Sequence, residues 1–239
     1  FATNNNPNLK AGGVYVYDTF RHLRDIAPDN QGVTRGKLIR YDSPTIAGFV
    51  ASASWGEPDY VGAPWSADGD YWDVALRYAG EFGAIRVAAG VGYQDYEREG
   101  VGNPEQSILT VGASIQHVPT GLYLSGSHDS IGRDANFKPG VGESDDATAW
   151  YVQAGIGQKW TSLGKTTLYG EYLKTEGGAN AGAYFYENSH TKSWGAGIIQ
   201  DIDAAAMSLY LTYNKIQAEV GGIKGEDIDV VMGGGRIKF

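Results

Sequence analysis

The stretch IRYDSPTIAGFVASASWGE, residues 39–57, decides the fold. Phe49, Ala51, Ala53 and Trp55 alternate with Val50, Ser52, Ser54 and Gly56. Side chains of a strand point to opposite faces with a period of two, so one face here is apolar and ends in an aromatic, while the other is mostly small and polar. A soluble sheet reads this way when its apolar face packs on a core. A membrane barrel reads this way when that face meets lipid and the polar face meets water.

Composition narrows the choice of architecture. The 239 residues include 35 Gly, 16 Tyr and 6 Trp, with no Cys and only 2 Met. Glycine and aromatics in this proportion suit many strands joined by frequent turns. The absence of cysteine excludes disulfides and thiolate metal sites. A net charge of −9 argues against a nucleic-acid partner, whose binding rests on Lys and Arg neutralising phosphate. No apolar run reaches the roughly 20 residues of a transmembrane helix, and the mean hydropathy is −0.32. A transmembrane barrel has the same low average, because lipid-facing and lumen-facing residues alternate.

Period-two alternation recurs from residue 36 onward and predicts about eleven strands. Their approximate spans are 36–42, 47–56, 71–80, 84–94, 107–117, 121–128, 147–160, 165–174, 191–202, 206–216 and 226–239. Helical periodicity is confined to VYDTFRHLRDI, residues 16–26. Short connections (SPTI, EFG, VPT, TSLG, DAA) alternate strictly with long ones such as EPDYVGAPWSADGD and DSIGRDANFKPGVGESDD. Soluble sandwiches mix hairpins with crossovers. Outer-membrane barrels keep tight periplasmic turns at one end and longer extracellular loops at the other.

The aromatics discriminate between lipid and core. On the apolar parity, next to the long connections, stand Trp55, Trp72, Tyr93, Trp150, Tyr172, Trp194 and Tyr213. At the short-turn end the same parity carries Tyr41, Phe49, Tyr78, Trp160 and Phe239. Between them lie aliphatic residues such as Val74, Leu76, Leu209 and Leu211. Two aromatic girdles flanking an aliphatic band are expected at the two interfaces of a membrane, whereas a soluble sandwich or lipocalin-like barrel scatters its aromatics through the middle. The opposite parity holds Asp73, Arg77, Arg86, Thr110, Gln153, Lys159, Glu171 and Asn214, with Gly90, Gly92, Gly155, Gly157, Gly195 and Gly197 among them. Charges cannot sit unpartnered in a packed core but can line water, and the glycines suggest open space. The expected fold is therefore all-β, a transmembrane antiparallel barrel.

GKLIRYDSPTIAGFVASASWGE followed by YWDVALRYAGEFGAIRVAAGVGY, together spanning residues 36–93, resembles the general bacterial outer-membrane porins of the alphaproteobacterial type. The ending GGGRIKF, with its terminal Phe239, looks like the signal by which the barrel-assembly machinery recognises its clients. The resemblance implies a homotrimer of roughly sixteen-stranded barrels, each a passive channel for ions and small hydrophilic solutes. It also implies that residues 1–35 are a remnant of the pore-constricting extracellular loop region, and 36–239 the transmembrane strands. Asp18, Asp25 and Asp29 would then supply the acidic side of the constriction, with Arg21 and Arg24 among them. Arg40 would belong to a facing basic cluster, with Arg77, Arg86, Asp73 and Lys159 further along the lumen. Single-chain bacterial barrels have even strand numbers, so an odd count is incomplete, and the resemblance to sixteen-stranded barrels implies about five further strands preceding this sequence. A substrate-specific channel, or a structural or adhesive barrel, is the alternative.

Other chemistry finds little support. His22, His117, His128 and His190 lack metal spacing. The carboxylates of DGD (68–70) and ESDD (143–146) suit a loop-bound calcium ion or an ordinary solvated loop tip. Neither GVGESDD nor GGGR runs from a strand into a helix as a nucleotide loop does, and no nucleophile elbow is present. The sequence does not point to an enzyme.

Overall fold

The computed structural model describes residues 36–58, 70–96, 106–133, 143–144, 146–177, 185–186, 189–220 and 222–237. Eleven long strands carry the fold. They are β1 (Gly36–Asp42), β2 (Phe49–Pro58), β3 (Tyr71–Phe82), β4 (Ile85–Tyr96), β5 (Gln106–His117), β6 (Leu122–Arg133), β8 (Asp146–Thr161), β9 (Gly164–Glu176), β11 (His190–Ile202), β12 (Met207–Val220) and β14 (Ile228–Ile237). Two-residue strands β7 (Glu143–Ser144), β10 (Phe185–Tyr186) and β13 (Ile223–Lys224) lie in the long connections. One 3-10 turn, Asp203–Ala205, joins β11 to β12. No α-helix occurs among the described residues.

Each long strand pairs antiparallel with its neighbour in sequence, in the order β1-β2-β3-β4-β5-β6-β8-β9-β11-β12, and β14 follows on β12. β7 and β10 pair with each other outside this sheet. Among the described residues β1 bonds only β2, and β14 bonds only β12, so the sheet is open rather than closed on itself. The helical turn expected in 16–26 and the terminal Phe239 lie outside the described residues.

The connections alternate as their lengths require. The first tight turn places Ala47 and Gly48 at φ 50° and 87°, closed by the Ile46–Phe49 pair of backbone bonds at 2.9 and 2.8 Å. Positive φ at both central residues matches the twist of the flanking strands, which is why glycine takes one of the places. Gly121 turns β5 into β6 at φ 68°, and its carbonyl accepts from the Gly157 N–H at 3.0 Å, tying that turn to β8. All five tight turns lie at one end of the sheet and the long connections at the other.

The two faces invert the usual soluble pattern. Leu124, Trp150 and Leu211 are half exposed. Gln153 is fully buried, and Thr212, Asn214, Ser52 and Ser54 are buried on the opposite parity. Only Ile108, Ile131 and Ala147 form a buried apolar cluster among the described residues. A sheet that exposes its apolar face and shelters its polar one is matched to hydrocarbon on the first side.

Candidate functional site

The polar face is built by cross-strand register. Asp42 is two residues after Arg40, so both leave β1 on the same side. Opposite them on β2 stand Ser52 and Ser54. Arg77 of β3 is opposite Val50, and Asp73 opposite Ser54. The Asp42 carboxylate receives Arg40 Nε at 2.9 Å and Arg40 Nη2 at 2.9 Å, Arg77 Nη2 at 2.7 Å and the Ser52 hydroxyl at 2.5 Å. Arg77 Nη2 also donates to Ser52 Oγ at 2.8 Å. Asp73 accepts from the hydroxyls of Ser54 and Tyr71. Two guanidinium groups and two carboxylates thus share one patch across β1–β3.

A second patch spans β6, β8 and β9. The Tyr151 hydroxyl donates to Glu171 Oε2 at 2.7 Å. Gln153 Nε2 donates to Tyr151 Oη at 2.9 Å, and Tyr123 donates to Gln153 Oε1 at 3.2 Å. Hydrogen bonding on this scale is what the buried Gln153 amide requires. Near the tight turns, Arg86 pairs with Glu81 at 2.9 Å and Lys159 with Asp203 at 2.8 Å. Both are exposed pairs, worth little in stability.

The structure therefore brings Arg40, Arg77 and Asp73 together on one patch of the polar face and sets Arg86 apart on the same face by register, while Lys159 falls in the irregularity of β8 between Gln158 and Thr161, outside the register with β9, and pairs with Asp203. Asp18, Asp25 and Asp29 lie outside the described residues. Sequence reasoning missed Asp42, although RYD places it on the parity of Arg40. It missed the glycine contacts as well. Tyr123 is the register partner of Gly155, Tyr169 of Gly197, and Tyr210 of Gly234. Each ring lies across its glycine, so a Cβ at Gly155 would stand 2.7 Å from Tyr123 Cε1, and one at Gly234 2.7 Å from Tyr210 Cζ. Gly155, Gly197 and also Gly195, covered by Asn214, are thus seats for side chains and not open space as their sequence suggested. Gly92 alone of those compared has ordinary contacts, the nearest at 3.7 Å.

On the apolar face, Trp55, Trp72, Trp150, Tyr172 and Trp194 are exposed and Tyr93 and Tyr213 half-buried, all near the long connections. Trp72 and Tyr93 meet at 5.4 Å between ring centres, Trp194 and Tyr213 at 5.5 Å. In β6 the corresponding place belongs to His128, stacked on Trp150 at 4.0 Å; its spacing from other histidines gave no hint of this. At the other end Phe49 and Tyr78 meet at 4.6 Å. Among the described residues no cluster of three or more metal-ligating side chains occurs.

Comparison with known proteins agrees with this architecture. No curated protein sequence matches the chain significantly. Solved structures of porins share its fold, two of them as follows. An anion-selective porin from Comamonas acidovorans is 18% identical, with a TM-score of 0.54 over 84% of this chain and 59% of that one. A BenF-like porin from Pseudomonas fluorescens Pf-5 is 10% identical, with a TM-score of 0.51 over 79% of this chain and 54% of that one. The chain thus spans little more than half the length of these two structures. The sequence family described as Gram-negative porin matches residues 3–224. With exposed apolar and sheltered polar faces built on that match, the chain belongs to the Gram-negative porins, proteins of the bacterial outer membrane.

Proposed function

We propose that the full-length protein forms a water-filled channel through which ions and small hydrophilic solutes diffuse passively across the outer membrane. The inverted sheet carries this reading: its apolar face suits lipid, and its polar face bears charges that need water or partners. In this reading Arg40, Arg77, Arg86, Asp73 and Lys159 line the lumen, and Asp18, Asp25 and Asp29 belong to a loop that narrows it. The channel assembles as a homotrimer of the alphaproteobacterial type, with the strand ending at Phe239 read by the barrel-assembly machinery. It carries out no reaction on its solutes and uses no cofactor, and the carboxylates of 68–70 and 143–146 hold calcium at most in a loop role.

Planar bilayers containing the full-length protein are expected to conduct in groups of three equal steps. Liposomes carrying it are expected to swell in small sugars. Liposomes that remain impermeable refute the channel. Conductance in single steps refutes the trimer but not the channel.

A further inference from the structure

We propose that Asp42 is the residue that sets the charge preference of the lumen beside β1–β3, by holding the two guanidinium groups of Arg40 and Arg77 on a single carboxylate. The inference rests on the channel reading above. Asp42 Oδ2 takes Arg40 Nε and Oδ1 takes Arg77 Nη2, at 2.9 and 2.7 Å. Arg77 reaches Asp42 from the third strand across β2, passing Ser52, whose short side chain leaves room and accepts from the guanidinium on the way. The three charged side chains are between 40% and 51% exposed, so they face water while remaining bound to one another.

Two cations on one anion leave a net charge of +1, and the neighbouring Asp73 brings the patch to zero. The arginines alone would favour anions; the Asp42 bridge halves their charge and Asp73 offsets the rest. Charge in a water-filled space with low-dielectric walls acts on passing ions more strongly than the same charge at an open surface. Removing the Asp42 carboxylate therefore uncovers two guanidiniums that already stand on the polar face. Removing Asp203, whose lysine partner Lys159 lies at the exposed tight-turn end, changes the formal charge equally but uncovers one distant cation.

The test is the reversal potential of the full-length protein in planar bilayers under a salt gradient, at low ionic strength where the Debye length is about 30 Å. Asp42→Asn is expected to raise the anion-over-cation permeability ratio about three-fold, and Asp203→Asn by less than about 1.3-fold. Equal shifts in the two variants overturn the proposal. The double variant Arg40→Gln/Arg77→Gln, which leaves Asp42 uncompensated, is expected to lower the ratio at least about two-fold. No change in it overturns the proposal, whether or not Asp42→Asn assembles. Wild-type protein that conducts without these shifts refutes this inference alone; wild-type protein that does not conduct refutes the channel reading and this inference together.

Discussion

Tyr169 shows how a single side chain shapes the polar face. Its ring lies over Gly197, its register partner in β11, and is buried there. Lying flat against the sheet, it keeps its bulk out of the space in front of the wall. A Cβ at position 197 would stand 2.6 Å from Tyr169 Cε1, so the ring would have to leave its seat. Gly197→Ala is expected to destabilise the full-length protein by about 1–3 kcal/mol, the range for overpacking. Gly92→Ala makes only ordinary contacts, and relief of glycine's backbone entropy should leave it neutral or more stable by up to about 1 kcal/mol. Urea unfolding in lipid vesicles distinguishes the two; equal effects would show that the tyrosine seat contributes nothing. The glycine itself was legible in the sequence, but the tyrosine that fills it was not, because the partner sits 28 residues away.

At the scale of the strand, parity decides the cost of a charge. In β5, Val111 is on the exposed apolar parity and Ser114 on the polar one. Val111→Arg places a cation on the face read as lipid-facing and is expected to cost about 2–4 kcal/mol if it lies near the midplane. Ser114→Arg faces the polar side and should cost less than about 1 kcal/mol. Equal costs in vesicle unfolding would remove the distinction between the faces. All eleven long strands and the five tight turns were readable, because a period of two and a turn residue are local signals. The pairing of β7 with β10 was not, since it joins residues about 40 apart in two long connections. The stacking of His128 on Trp150 was not readable either, since it needs the pairing of β6 with β8.

For the whole molecule, the orientation of the sheet predicts where its tryptophans reside. Trp55, Trp72, Trp150, Trp160 and Trp194 are all exposed on the apolar parity. In vesicles of the full-length protein, lipids brominated near the headgroup end of the acyl chain should quench their fluorescence more than lipids brominated near the methyl end, as expected for girdles at the interfaces. Quenching by aqueous acrylamide with no effect of brominated lipid would contradict the membrane orientation. Sequence by itself determined the alternation of faces, the aromatics at the two ends of the apolar face, the order of short and long connections and the porin resemblance, because each is written in neighbouring residues. Only the tertiary structure decided which groups meet: Arg77 reaches Asp42 from 35 residues away, and the tyrosines find their glycines on adjacent strands. Parity says which face a side chain takes, but register says what stands opposite, and register is fixed by pairing between strands that the chain brings together only when it folds.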